Sequence, residues 1–90
     1  MAKLNGRKTR GIRINNIDEL KELSKGKMLS CFITLNGGAR SSKDIEYFKH
    51  TNSFTIFHQI DDEMETLSEK QFTNSFIGKA LVFGALYKYE

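Results

Sequence analysis

The sequence predicts an α+β fold: an antiparallel β-meander packed by a short N-terminal helix and a C-terminal helical region. Three observations predict it. Between residues 28 and 60 there are three short runs in which apolar residues recur at every second position, the period of a half-buried strand. Connections of only a few residues join these runs, which favours antiparallel neighbours. On either side lie stretches with apolar residues at helical spacing, each introduced by a capping sequence.

Residues 1 to 8, MAKLNGRK, follow neither period and are expected to form a mobile basic arm. In TRGIRI, Ile12 and Ile14 alternate with charged residues and predict a short strand that Gly11 weakens. Asn16, followed three positions later by Glu19, has the form of a helix N-cap with a reciprocal carboxylate. Ile17, Leu20 and Leu23 then share one face of a helix over about 17–25, which Gly26 ends. So short a helix is marginal alone and must be held by packing on the sheet.

The central strands are predicted at about 28–36, 43–49 and 53–60. Leu29, Cys31, Ile33 and Leu35 face the core in the first, Ile45 and Tyr47 in the second, and Phe54, Ile56 and Ile60 in the third. Asn36-Gly37 suits the positive φ of a tight turn. Asp61, Asp62 and Glu63 break the pattern and are read as an acidic loop. Next, Ser68 and Gln71 match a capping box, with Leu67 and Phe72 at the positions of a hydrophobic staple. A stripe of Phe72, Phe76, Ala80 and Phe83 predicts helix over about 68–83, as one bent helix or as two short ones divided at Asn74-Ser75. The tail, ALYKYE, predicts a closing edge strand with Leu86 facing opposite to Tyr87 and Tyr89. The element order approaches a ferredoxin-like βαββαβ layout with one extra strand.

Ninety residues make a single domain, which buries only about 60–65% of the surface of its unfolded chain and leaves no room for a deep catalytic cavity. Cys31 is the only cysteine, which excludes an intramolecular disulfide and a cysteine-based zinc site. In register with Leu29 and Ile33, it is expected to act as a small buried hydrophobe. The basic N-terminus is not followed by an apolar run of signal-peptide length, and the longest apolar stretch, ALVFGALY, is too short to span a bilayer. A cytoplasmic protein with no membrane partner is therefore expected.

The net charge of +3 conceals an asymmetry that says more. Residues 1–13 carry Lys3, Arg7, Lys8, Arg10 and Arg13 and no acid, whereas residues 51–90 carry a net charge of −3. Arg7, Lys8, Arg10 and Arg13 are candidate phosphate-binding groups, and Arg40 and Lys43, in the predicted ARSSK hairpin, a candidate second basic site. The strand register adds a third feature. If Leu29, Cys31, Ile33 and Leu35 face the core, each central strand presents one phenylalanine, Phe32, Phe48 or Phe57, on its opposite face. Aromatic groups on an open sheet are stacking platforms for unpaired bases. The competing expectation is that a helix covers this face and buries all three.

Catalysis is not expected. NGGARSSK has glycines, hydroxyls and a lysine, but it lacks the GxxxxGK[ST] spacing of a phosphate cradle and joins two predicted strands. His50 falls in a predicted turn, and His58 shares the apolar register of Phe54 and Ile56. Asp61, Asp62, Glu63 and Glu65 are oxygen donors suited to a hard cation, yet they do not follow the EF-hand pattern. No metal or cofactor motif is present; an enzyme, if the chain were one, would be a small metal-dependent nuclease.

The segments LNGGARSSK, FTIFHQIDDE and FIGKALVFGALYKY resemble short uncharacterised proteins carried by phages and other mobile elements of AT-rich bacteria. The resemblance implies a context and no function. The leading expectation is a small non-catalytic module that binds nucleic acid through the basic arm and the sheet aromatics. The alternative is a protein-binding module, such as an inhibitor of a host enzyme. Oligomeric state is left open.

Overall fold

Among the described residues, six strands and three α-helices follow one another as β1 (Gly11–Arg13), α1 (Ile17–Ser24), β2 (Leu29–Thr34), β3 (Arg40–Phe48), β4 (Ser53–His58), β5 (Glu63–Ser68), α2 (Glu69–Asn74), α3 (Phe76–Phe83) and β6 (Leu86–Tyr89), with a 3-10 turn at Asn36–Gly38 between β2 and β3. They come from a computed structural model, which describes residues 10–90. Arg7 and Lys8 lie outside the described residues. All strands pair antiparallel in one sheet of order β1-β6-β2-β3-β4-β5. The predicted three-strand meander is β2 to β4, and β5 extends it by a fourth strand. The helical pair α2–α3 carries the chain back across it, so that β6 enters between β1 and β2 and splits the β1-α1-β2 unit. This is a ferredoxin-like device on a sheet of six strands where the βαββαβ layout has four.

The local signals behave as their chemistry dictates. The Asn16 side chain accepts the Glu19 N–H at 2.8 Å, and the Glu19 carboxylate reaches back to the Asn15 N–H at 2.8 Å. Ser68 and Gln71 form both halves of the capping box, at 2.9 and 3.1 Å. Helix is interrupted at Ser75, whose backbone is extended and whose side chain caps α3 through the Gly78 N–H at 3.2 Å. The predicted 68–83 region is therefore two short helices.

Every helix packs on the same face of the sheet. Leu20 from α1, Phe72 from α2, and Ile77, Ala80 and Leu81 from α3 meet Cys31, Ile33, Ile45, Tyr47, Phe54, Ile56 and Leu86 in one apolar cluster. An aromatic row runs through it: Tyr47 lies 4.9 Å from Phe54, and Phe54 lies 4.2 Å from Phe72. A half-buried ion pair ties α1 to α2, Lys21 Nζ to Glu69 Oε1 at 2.9 Å. Their hydrogen bond holds the lysine above its usual range and the carboxyl below its own.

Two expectations need correction. Residues 63–68, the first of which the sequence places in an acidic loop, form the edge strand β5, paired with β4 along its whole length from Ser53↔Ser68 to His58↔Glu63. It has no apolar period because only Leu67 turns into the core; backbone pairing, a Thr55–Thr66 hydroxyl contact and a His58–Glu65 contact hold it instead. The alternation places Leu35 and Ile60 on the core face, but both are exposed because the strands end before them, at Thr34 and His58. Among the described residues, no helix is long and apolar enough to cross a membrane.

Candidate nucleic-acid interface

The face of the sheet opposite the helices is built from the alternate residues of each strand. Leu86 is fully buried in the core, so its neighbours on β6, Tyr87 and Tyr89, turn to this second face. Cys31 and Ile33 do the same for Phe32 on β2. The register then aligns Arg13 with Tyr87 and Tyr87 with Phe32, in a row that crosses three strands.

Phe32 is only 2% exposed, yet no helix among the described residues covers it. Its ring stacks at 5.4 Å on Tyr87, 8° from parallel, and lies 4.7 Å from Tyr89. The Arg40 guanidinium sits 4.2 Å above it, a cation–π arrangement. From the edge, β1 closes the cluster: a Cβ at Gly11 would stand 2.3 Å from the tip of the Phe32 ring, so only glycine lets the strand lie there. Tyr89 is anchored by a 2.8 Å hydrogen bond between its hydroxyl and that of Ser42. Phe32 is thus the buried keystone of the cluster, while both tyrosines remain partly exposed.

The charges of this face are segregated. Arg40 sits over Phe32 beside the tyrosines; Arg13 is paired with Tyr87 in the register, but its guanidinium lies against Gly84 at the end of α3; and Arg10, at the start of the described chain, pairs with Glu90 at 3.4 Å. Acids lie farther along the sheet, on β3: Asp44, held by the Gln59 amide at 3.1 Å, and Glu46. β1 begins beside Tyr89, so Arg10, the first described residue, stands at the edge of the aromatic cluster.

The remaining candidates do not join this cluster. Arg40 and Lys43 both lie in β3, not in a hairpin, and three positions apart on a strand they point to opposite faces. Lys43 Nζ donates to His58 Nδ1 at 2.9 Å, which leaves the hydrogen on Nε2 to be donated to Glu65 at 2.6 Å. His58 is thereby a satisfied side chain on the helix face, beside the core. Phe57 pairs across the ladders with Asp44 and Met64, and Phe48, 41% exposed, occupies a corner beside Ser53. Neither adjoins the tyrosine cluster in the register. Tyr87 and Tyr89 were missing from the sequence candidates, because their value depends on β6 lying next to β2, a pairing between residues more than fifty positions apart.

Cys31 is fully buried, and burial, reinforced by the charge of Asp44, pushes its thiol up to about 12. Among the described residues no group of three or more His, Cys, Asp or Glu side chains is placed to hold a metal ion. The chain matches no protein-family model, no curated protein and no solved structure.

Proposed function

We propose that this chain is a small non-catalytic module that acts in the cytoplasm and binds single-stranded nucleic acid on the open face of its sheet. The observation that carries the proposal is the cluster of Phe32, Tyr87 and Tyr89 on the open face: Arg40 lies over the Phe32 ring, Arg13 is paired with Tyr87 in the register, and Arg10 precedes the strand that runs beside Tyr89. Bases would stack on the exposed sides of Tyr87 and Tyr89, and phosphates would lie toward Arg13, Arg40 and the arm. An unpaired strand is preferred over a duplex because stacking on a sheet requires bases free of their partners. The acids Asp44 and Glu46 bound the site on its far side and confine the phosphates to the β1–β2 half.

The test is a titration of fluorescently labelled single- and double-stranded oligonucleotides over a series of salt concentrations. Binding to single strands is expected to weaken with salt. Replacing Arg7, Lys8, Arg10 and Arg13 by alanine should flatten the log–log slope by about 0.7 for each phosphate that is no longer neutralised. Tyr87→Leu and Tyr89→Leu keep apolar cover over Phe32 and remove the stacking ring. Each should weaken binding by roughly 5- to 150-fold, the equivalent of 1–3 kcal/mol per stacked base. Absence of salt-dependent binding, or affinity indifferent to all six substitutions, would refute the proposal.

A further inference from the structure

The helix layer carries an anomaly unrelated to the sheet face. In α3, Phe76 is 64% exposed, Val82 80% and Phe83 85%. Phe76 and Phe83 stand seven positions apart and so share one side of the helix, with Lys79 the single charged residue of α3. At roughly 200 Å² for each aromatic side chain, these three residues offer about 400 Å² of apolar surface. That lies within the range of the largest patch on a soluble monomer, a patch that is often functional.

Next to this knob lies a hole. An apolar groove of about 320 Å³ runs between the start of α1 and the α2–α3 pair, walled by Asn16 and Ile17 on one side and by Phe72, Gly78, Leu81 and Val82 on the other. Gly78 lies on its wall where α2 and α3 approach so closely that a Cβ would stand 2.1 Å from the Phe72 carbonyl oxygen. Val82 belongs to both features, as a wall of the groove and as the neighbour of Phe83.

We infer that α3 is the contact surface of a symmetric homodimer, in which Phe83 of each copy enters the groove of the other. A two-fold axis passing beside Val82 relates knob to hole and hole to knob, the reciprocal contact that an isologous interface demands. The area agrees: a standard interface buries about 800 Å² per partner, and homodimer contacts are about two-thirds apolar, so the patch together with the groove walls supplies such a core. Other occupants suit it less well. Nucleic acid or an anionic membrane would call for cations, and α3 has Lys79 alone. The chain's own first nine residues, MAKLNGRKT, contain only Met1 and Leu4 as large apolar groups. The dimer leaves the open sheet faces outward, so it stands or falls independently of nucleic-acid binding.

The test is sedimentation equilibrium of the full chain, freed of nucleic acid, from micromolar to near-millimolar concentration. A concentration-dependent dimer is expected. Phe83→Ala, at a position too exposed to matter for folding, should raise its dissociation constant about thirty-fold or more, as truncation of a buried interface anchor does. Thr73→Trp, on the exposed lip of the groove, should fill the hole and weaken the dimer similarly. Mixing the two variants restores one of the two knob-in-hole contacts, so heterodimers should form more tightly than either variant self-associates. A monomer at all concentrations, a dimer indifferent to both substitutions, or a monomer that binds lipid vesicles or a foreign protein through Phe83 would overturn the inference.

Discussion

Replacing Gly78 by alanine sets two physical effects of opposite sign against each other. Within a helix, alanine is favoured over glycine by about 1 kcal/mol, and the loss of glycine's freedom in the unfolded chain acts in the same direction. Packing opposes this. The new methyl would lie 2.1 Å from the Phe72 carbonyl oxygen and 2.8 Å from that of Thr73, where ordinary contact begins near 3.4 Å. The Phe72 oxygen cannot simply withdraw, since it accepts the Ser75 N–H at 3.0 Å and the Ser75 hydroxyl at 2.6 Å, the bonds that turn the chain from α2 into α3. Relief requires α3 to move off α2, which strains a core holding Phe72, Ile77 and Leu81. Overpacking of this kind costs about 1–3 kcal/mol and sometimes more, and each weakened hydrogen bond adds about 1 kcal/mol. The expected net loss is about 1–3 kcal/mol, a fall in Tm of about 4–20 °C for a domain of this size. Thermal and urea unfolding followed by far-UV circular dichroism measure it, with Lys79→Ala on the exposed side of α3 as a control expected within about 0.5 kcal/mol of the parent. A Gly78→Ala protein as stable as the parent, or more so, would refute the argument that packing between α2 and α3 outweighs helix propensity.

Two further outcomes follow from the titrating groups. The Glu69 carboxyl is held below its usual range by Lys21, so the pair's contribution is complete above the unfolded carboxyl pKa near 4.3 and is lost as pH falls through the depressed folded value. Glu69→Gln should therefore cost about 0.5–1 kcal/mol at pH 7, as expected for a partly exposed pair, and urea midpoints of parent and variant should converge below about pH 4; a difference constant from pH 7 to pH 3 would contradict this. The Cys31 thiol, buried and pushed up to about 12, should resist iodoacetamide at pH 8 in the native protein and react promptly in denaturant; equal rates in both states, measured by mass spectrometry, would show that the first central strand is not packed as described.

Much of the fold was legible because its signals are local. The alternation of Leu29, Cys31 and Ile33, the Asn16 and Ser68 caps and the interruption at Asn74-Ser75 all correspond to elements found at those places. Strand β5 was illegible for an equally physical reason. An edge strand with a single inward side chain, Leu67, has little hydrophobic period to read, and its existence depends on the backbone ladder that β4 offers.

The candidate site divides in the same way. By itself, the sequence determined that an apolar face and a more polar face alternate along β2 to β4, that Phe32 lies on the second, and that the positive charge is concentrated in the first thirteen residues. Only the tertiary structure decided that β6 lies between β1 and β2. With that single placement Tyr87 and Tyr89 came to cover Phe32, Gly11 came to rest against its ring, and Arg13 was aligned with Tyr87. It also sent Arg40 and Lys43 to opposite faces by beginning β3 three residues earlier than the turn chemistry suggests, at Arg40. The difference is one of range: side-chain period and capping are written within a few residues, whereas strand order is chosen by the burial of Leu86, Ile33 and Ile14 together, which no short stretch of chain contains.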